Sequence, residues 1–113
     1  MVDCIFCKIV NKEIPSQILY EDEDVIAFKD INPVAPVHLL VIPKQHLKDL
    51  NAITQVNEPL LGHILAVTQK LATESGIAES GFRVVTNIGV DGGQMVEHLH
   101  FHMIGGQLLS KIG

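Results

Sequence analysis

The segment 98–103 alternates histidine with large apolar residues, and this alternation constrains the fold more than any other feature of the 113-residue chain. Successive side chains of a β-strand point to opposite faces, so Leu99, Phe101 and Met103 are expected on one face and the three histidines on the other. A rise of about 3.3 Å per residue would place neighbouring histidines roughly 6.6 Å apart. The segment therefore predicts a strand with one face in a core and three imidazoles on the other.

Helical periodicity predicts two helices. A short helix is expected from a cap at Asp3 to about Asn11, because apolar residues recur there at the spacing of one buried face. A longer helix is expected over 57–75, with a proline near its start and a glycine just past its end. Because the chain is short and contains no internal repeat, a single domain over residues 1–113 is expected.

Short runs of β-forming residues predict five strands. Acidic residues at 22–24 favour a turn, and the runs on either side of it predict an antiparallel hairpin. The run 38–42 has too few polar residues to leave one face wet, so we expect it to be a central strand. Five strands with two helices predict an α+β fold. The predicted strands are 18–21, 25–30, 38–42, 82–88 and 98–104.

Charge and hydropathy argue against two classes of partner. Eight Lys and Arg against thirteen Asp and Glu leave a net charge of −5, which provides no basic field for gripping nucleic acid or anionic lipid. No apolar run approaches the roughly 18 residues needed to span a bilayer, so no membrane partner is expected. The first residues lack the positive region and long apolar segment of a secretory signal, which predicts a cytoplasmic location.

The alternating histidines admit two kinds of chemistry. Imidazoles two residues apart on a strand can share a zinc ion, and three of them with a water would form a hydrolytic centre. The glycine-rich turn 89–94 precedes the strand, and its backbone N–H groups could cradle an anion near the amides of Asn87 and Gln94. A phosphate held beside imidazoles favours phosphoryl or nucleotidyl transfer, with one histidine attacking phosphorus.

Several motifs in register carry a family resemblance. They are His98-Leu99-His100-Phe101-His102-Met103-Ile104-Gly105-Gly106 and the segments 5–9, 13–15, 27–31, 35–38, 41–44 and 91–94. On these residues the chain resembles the histidine triad (HIT) family, specifically its branch of nucleoside phosphoramidases. The resemblance implies a HIT-like five-stranded antiparallel sheet with two helices, and a homodimer across which the sheet is extended. It also implies binding of a purine nucleoside monophosphate or its phosphoramidate or acyl conjugates, without an organic cofactor.

The resemblance assigns the catalytic steps to three histidines. It implies that His100 attacks the α-phosphorus and forms a covalent nucleotidyl-histidine, which water then hydrolyses to release the nucleoside monophosphate. Splitting one difficult displacement into two easier ones is the physical rationale. His102 and His38 are implied to flank the phosphate, where an imidazole can carry a proton to a departing amine.

The resemblance also implies a set of substrate contacts. Asp30 would accept hydrogen bonds from the ribose hydroxyls, although a residue at a strand end also fits a plain turn role. Asn87 and Gln94 would face the phosphate or the leaving group. The other expected contacts are Ile5, Phe6, Ile9, Phe28, Met95 and Val96. The first four of these would form an apolar base pocket, although Ile5, Phe6 and Ile9 fit a core stripe of the helix equally well.

The pair Cys4 and Cys7 has a spacing that lets two thiolates share one zinc ion, but it supplies only half of a tetrahedral site. The resemblance implies that His46 and His98 complete the site. Zinc would then be structural, because four protein ligands leave no position for water. His98 would serve as a ligand while His100 stays free as the nucleophile.

Three residues depart from the pattern of this branch: Met95, Glu97 and Gln107. Met95 stands where a serine, threonine or glutamate is common, and a thioether donates no hydrogen bond to a phosphate oxygen. Two alternatives to a phosphoramidase remain, the first suggested by Met95 and the second by the three histidines. One is a regulatory protein that binds nucleoside monophosphates with little turnover, and the other is a hydrolase that uses the three histidines on an open zinc.

Overall fold

A computed structural model describes residues 4–112 as an α+β fold in which one antiparallel sheet separates two helices. The sheet has five strands in the order β1-β2-β3-β5-β4. Its strands are β1 (Ile18–Glu21), β2 (Val25–Lys29), β3 (Val37–Pro43), β4 (Phe82–Val85) and β5 (Phe101–Gly105). The predicted α+β class and the five strands with two helices are confirmed.

The predicted hairpin is present, with its turn organised by one carboxylate. Asp22 Oδ1 accepts hydrogen bonds from the backbone N–H groups of Asp24 and Val25, both at 2.8 Å. Its other oxygen accepts from the Tyr20 hydroxyl at 2.7 Å and contacts His63 Nε2 at 2.6 Å. Asp22 therefore ties the hairpin to the long helix as well as closing the turn.

The strand β3 lies in the centre of the sheet, as its apolar sequence predicts, and it is buried on both faces. Alternate residues of the central strands enter two cores. Val25, Ala27, Leu39 and Val41 belong to the larger core, which packs against the long helix. Ile26, Phe28, Leu40 and Ile42 belong to a smaller core, which packs against the N-terminal helix.

The two helices lie close to their predicted positions. Helix α1 runs over Ile5–Val10, and its N-cap is Cys4, whose Sγ accepts from the N–H of Cys7 at 3.3 Å. The predicted cap Asp3 lies outside the described residues. Helix α2 runs over Glu58–Glu74, and two 3₁₀ turns that the sequence analysis did not predict precede it, at Leu50–Ala52 and Gln55–Asn57.

The predicted extents of the last two strands are wrong by three residues each. Strand β4 ends at Val85 rather than at residue 88, and β5 begins at Phe101 rather than at His98. The physical reason is that the backbone before β5 bonds outside the ladder, with the N–H of Leu99 donating to the carbonyl of Leu47 at 2.6 Å. The predicted division of faces holds nevertheless, since Leu99, Phe101 and Met103 all enter the larger core.

Within residues 4–112, no helix combines the length and the hydrophobicity that crossing a membrane requires.

Candidate active site and metal centre

The candidate site lies on the α1 side of the sheet, where the rings of His38, His100 and His102 approach one another. His38 belongs to β3 and His102 to β5, while His98 and His100 lie on the segment that leads into β5. Leu40 pairs with His102 and His38 with Ile104, so the two strand histidines are diagonal neighbours across the ladder. The predicted even row of three imidazoles is not formed, because His98 turns toward the cysteines.

The imidazole of His100 is buried and is oriented by a backbone carbonyl. Its Nδ1 lies 2.7 Å from the carbonyl oxygen of His98. A carbonyl only accepts, so Nδ1 must carry the proton, and in the neutral ring Nε2 keeps its lone pair. The ring of Phe6 packs edge-on against it, with the ring centroids 5.1 Å apart. His100 is thus held in the tautomer that a nitrogen nucleophile requires.

His38 and His102 form a directed hydrogen-bond chain. The backbone N–H of Val34 donates to His38 Nδ1 at 3.1 Å, so the neutral ring of His38 carries its proton on Nε2. That Nε2–H faces His102 Nδ1 at 2.9 Å and Asp30 Oδ2 at 3.3 Å. His102 then accepts at Nδ1 and carries its own proton on Nε2, where it can donate to a ligand.

Burial keeps these two imidazoles uncharged at neutral pH. Desolvation lowers the pKa of His102 to about 4, and the nearby imidazoles of His100 and His38 add to the effect. Burial also lowers the pKa of His38, although the carboxylate of Asp30 opposes the shift. Neutral rings are required by the hydrogen-bond chain, since a doubly protonated His38 would direct an N–H at the N–H of Val34.

A second cluster brings together Cys4, Cys7, His46 and His98. Cys4 Sγ lies 3.4 Å and Cys7 Sγ 3.6 Å from His98 Nδ1, and Cys7 Sγ lies 3.2 Å from His46 Nδ1. Bond lengths of about 2.3 Å to sulfur and 2.0–2.1 Å to nitrogen give a sulfur–nitrogen edge of about 3.5 Å in a tetrahedral zinc site. These three sulfur–nitrogen separations match the edge of a tetrahedral site, and all four donor atoms lie within 4.8 Å of one another.

The protonation states of this cluster suit a metal. His98 Nε2 lies 2.9 Å from the carbonyl of Pro43, so it carries the proton and leaves Nδ1 free to coordinate. Burial lowers the pKa of His98 to about 4, which keeps the ring in the neutral form that binds metals. Burial, together with the neighbouring Cys4, raises the pKa of Cys7 to about 11, so a bound cation would be needed to hold Cys7 as a thiolate.

Asp30, His38 and His102 also bring three donor atoms within 4.8 Å of one another. This group is poorly suited to a metal, because the Val34 N–H directed at His38 Nδ1 places the ring proton on Nε2, the nitrogen that would have to coordinate. His98 faces the cysteines and Pro43, so it does not converge with His100 and His102. The geometry therefore argues against an open zinc held by the three histidines.

The predicted amide contacts are directed at the backbone of the glycine-rich turn. Asn87 Nδ2 donates to the carbonyl of Gly92 at 2.7 Å. Gln94 Oε1 accepts from the N–H of Gly89 at 2.9 Å, and its Nε2 donates to the carbonyls of Lys48 and Val96. In this structure both side chains hold the turn 89–94 in shape.

The expected anion cradle is also partly occupied from within. The N–H groups of Gly93 and Gln94 donate to the carbonyls of Val90 and Gly89, each at 3.0 Å. The N–H of Gly89 is bound to the Gln94 side chain. Three of the turn's donors are therefore already used.

The expected apolar base pocket is divided between the core and the surface. Phe6, Ile9 and Phe28 are buried in the smaller core, whereas Ile5 is 51% exposed. Val96 packs partly against the same core, and Met95 is 92% exposed. Ile5 and Met95 are thus the members of this set that face outward.

Thr86 and Pro43 are among the residues that the sequence analysis did not assign to the site. The hydroxyl of Thr86 donates to the carbonyl of His100 at 2.8 Å, and the carbonyl of Pro43 orients His98. A hydroxyl residue directly after a strand can be recognised in a sequence, but the predicted strand 82–88 placed Thr86 inside β4 rather than after it. The Pro43 contact has no sequence signal, since every residue carries a carbonyl.

Comparisons with known proteins agree with this geometry. The family described as "Scavenger mRNA decapping enzyme C-term binding" matches residues 3–112. Protein HitA of Neisseria gonorrhoeae is 49% identical over 105 residues, which are 93% of this chain and 97% of that protein. The purine nucleoside phosphoramidase of Escherichia coli is 44% identical over 110 residues, which are 97% of this chain and 92% of that enzyme.

Solved structures give the same result. A histidine triad protein from Clostridium difficile superposes with a TM-score of 0.95 at 50% identity, covering 100% of this chain and 98% of that one. A HIT family hydrolase from Legionella pneumophila superposes with a TM-score of 0.94 at 44% identity, covering 96% of each chain. The match extends from the sheet to the histidine segment, and the chain belongs to the histidine triad family.

Proposed function

We propose that this protein is a purine nucleoside phosphoramidase, or a related nucleotidyl hydrolase, that acts through His100. The observation that carries the proposal is the hydrogen bond from His100 Nδ1 to the carbonyl of His98, which leaves Nε2 as a buried nitrogen with a free lone pair. The likeness to the Escherichia coli purine nucleoside phosphoramidase and to HIT family hydrolases supports the choice of reaction.

In the first step, His100 Nε2 attacks the α-phosphorus and the bond from phosphorus to the leaving nitrogen breaks. The ring gains positive charge as the new N–P bond forms, and the carbonyl of His98 stabilises that charge by accepting the Nδ1–H. In the second step, water displaces the histidine and releases the nucleoside monophosphate. The amine gains one proton and the water loses one, so the cycle is balanced.

His38 and His102 assist as neutral donors. Because His102 accepts from His38 at Nδ1, it presents Nε2–H as a hydrogen-bond donor to the phosphate or to the nitrogen of the leaving group. The donor is fixed before the substrate arrives, so little reorganisation is required during the reaction.

The remaining contacts are proposed from position and chemistry. Asp30 lies at the end of β2 beside His38, where its carboxylate can accept from the ribose hydroxyls. Ile5 and Met95, the exposed members of the predicted apolar set, would border the base, above Phe6 and Phe28. Asn87 and Gln94 would act by keeping the turn 89–94 in place.

We propose that Cys4, Cys7, His46 and His98 hold a structural zinc ion. Bound there, zinc would supply a crosslink between α1, the loop after β3 and the histidine segment, with no position left for a reacting water. A cytoplasmic location belongs to the same proposal, because a reducing compartment keeps Cys4 and Cys7 available as metal ligands.

We further propose that two single-domain chains form a homodimer through the β4 edge of the sheet. β4 has one neighbour in the sheet, so its outer edge offers backbone groups for pairing. Val84 on this strand is 39% exposed. Pairing along this edge would bury Val84 and extend the sheet.

The test is hydrolysis of adenosine 5′-phosphoramidate by the unsubstituted protein, by His100→Ala and by His63→Ala. His63 lies on α2, on the opposite side of the sheet, so its variant controls for the loss of an imidazole elsewhere. AMP release by the first and third proteins and its absence from His100→Ala would support the nucleophile. Denaturation at alkaline pH, which preserves the N–P bond, followed by mass spectrometry should show one nucleotidyl group on the unsubstituted chain.

The alternative function is a regulatory protein that binds nucleoside monophosphates with little turnover. It is favoured by the exposed Met95, which supplies no hydrogen-bond donor to the leaving group. AMP binding without hydrolysis or a covalent adduct would establish this alternative. Equal hydrolysis by His100→Ala would refute both the nucleophile and the mechanism derived from it.

A further inference from the structure

The backbone around His100 is fixed by hydrogen bonds rather than by the sheet ladder. β5 begins at Phe101, one residue after the proposed nucleophile. On one side of His100, the N–H of Leu99 donates to the carbonyl of Leu47 at 2.6 Å. On the other side, the carbonyl of His100 accepts from the hydroxyl of Thr86 at 2.8 Å.

Thr86 replaces a ladder contact at the point where β4 stops. The last registered pair between β4 and β5 is Val85 with His102, and Thr86 follows directly. Its half-buried side chain reaches the carbonyl two residues before His102. The hydroxyl therefore extends the link between the edge strand and the histidine segment beyond the last backbone pair.

We propose that Thr86 is a positioning residue for nucleophilic attack by His100, an inference that rests on the proposed function. Thr86 contacts the backbone of His100, whereas the ring Nδ1 is held by a different carbonyl. Removing the Thr86 hydroxyl would leave the carbonyl of His100 without this donor, so that the backbone and the imidazole of His100 could shift together. Attack on phosphorus is sensitive to such shifts, because a misplacement of about 1 Å can reduce a rate by about a hundredfold.

The proposed binding contacts do not involve Thr86. Asp30 and Phe28 reach the site from β2, Ile5 and Phe6 reach it from α1, and Met95 lies beyond the turn 89–94. Loss of the hydroxyl should therefore slow the chemical step while leaving nucleotide affinity almost unchanged.

The test compares Thr86→Val, which keeps the shape and removes the donor, with Thr86→Ser, which keeps the donor. Thr68→Val is the matched control, because the Thr68 hydroxyl also donates to a backbone carbonyl at 2.8 Å, inside α2. For each protein we would measure kcat with adenosine 5′-phosphoramidate, the Kd for AMP by calorimetry, and the melting temperature. The expected result is a fall in kcat of about tenfold for Thr86→Val alone, with serine restoring the rate and the Kd within about twofold throughout.

Three outcomes would overturn the inference while leaving the proposed function intact. One is an unchanged kcat in Thr86→Val, and another is an equal loss in Thr86→Ser, which would assign the effect to the methyl group. The third is a parallel loss of AMP affinity, which would indicate damage to the whole site. If the unsubstituted protein does not hydrolyse the phosphoramidate, the proposed function fails and this inference fails with it.

Discussion

Replacing Gly92 by alanine should distort the turn 89–94 more than any other single-methyl addition in it. A Cβ atom at Gly92 would lie 2.2 Å from the carbonyl oxygen of Ile88 and 2.9 Å from its nitrogen. Cβ contacts below 3.0 Å essentially do not occur, so the backbone must move by about 0.8 Å. Both clashing atoms belong to backbone, and no side chain can relieve the contact by rotating.

The cost follows from the hydrogen bonds that share this turn. The carbonyl of Gly92 accepts from Asn87 at 2.7 Å, and the N–H groups of Gly93 and Gln94 close the turn at 3.0 Å. Each bond contributes about 1 kcal/mol net, and water can replace part of it at the surface, so the expected loss is about 2 kcal/mol. Urea unfolding with a slope of about 1–3 kcal/mol per molar should then show a midpoint lower by about 1 M.

Gly93→Ala provides the matched control. Gly93 has φ of 77°, but its Cβ would meet nothing within 4 Å, so alanine there costs only the left-handed conformation, about 1 kcal/mol. The midpoint of Gly92→Ala should therefore lie below that of Gly93→Ala. Equal midpoints, or the reverse order, would refute the steric reasoning.

Three further predictions concern metal, pH and helix stability. Elemental analysis of protein purified without added metal should find about one zinc per chain, lost in a folded Cys4→Ala variant; full zinc content in that variant would contradict the four-residue site. Partial burial opposes ionisation of Asp22, but hydrogen bonds from His63, Tyr20 and the turn outweigh it and hold its pKa below the ordinary value of 3.8. The ionised Asp22 therefore contributes its full stabilisation above pH 3.8, and this contribution is lost as the pH falls through the pKa of the folded state. The difference in unfolding free energy between the native protein and Asp22→Asn should accordingly shrink on acidification. A difference that stays constant down to pH of about 2 would show that these bonds do not favour the charged form. Gly62→Ala, at an exposed helix position whose Cβ meets nothing within 4 Å, should raise the unfolding free energy by about 0.5–1 kcal/mol in urea titration, and a decrease would show that this face of α2 is covered.

The sequence predicted the elements whose signal is local. The apolar run of β3 indicated its central place, and the acidic turn before β2 indicated a hairpin. The periodicity of α2 located that helix to within one residue at each end. These features succeed because burial imposes a period of 2 or about 3.6 on the chain itself.

The predicted boundaries of β4 and β5 are wrong because they depend on contacts between residues that are distant in sequence. Residues 86–88 and 98–100 have strand-like composition, yet Leu99 donates to Leu47, which lies far from it in sequence. A segment leaves the ladder when a distant group forms a better hydrogen bond with its backbone. The local sequence does not identify that group.

The sequence by itself determined the candidate chemistry: two cysteines, a histidine set and a strict alternation that sends Leu99, Phe101 and Met103 into the core. Only the tertiary structure decided which nitrogen of each ring is free. His98 is oriented by Pro43, His38 by Val34, and His100 by the carbonyl of His98. An imidazole has two nearly equivalent tautomers in isolation, so its proton is placed by whichever partner the fold brings to it. The residue types follow from composition, but the roles of ligand, donor and nucleophile depend on contacts between segments that are distant in sequence.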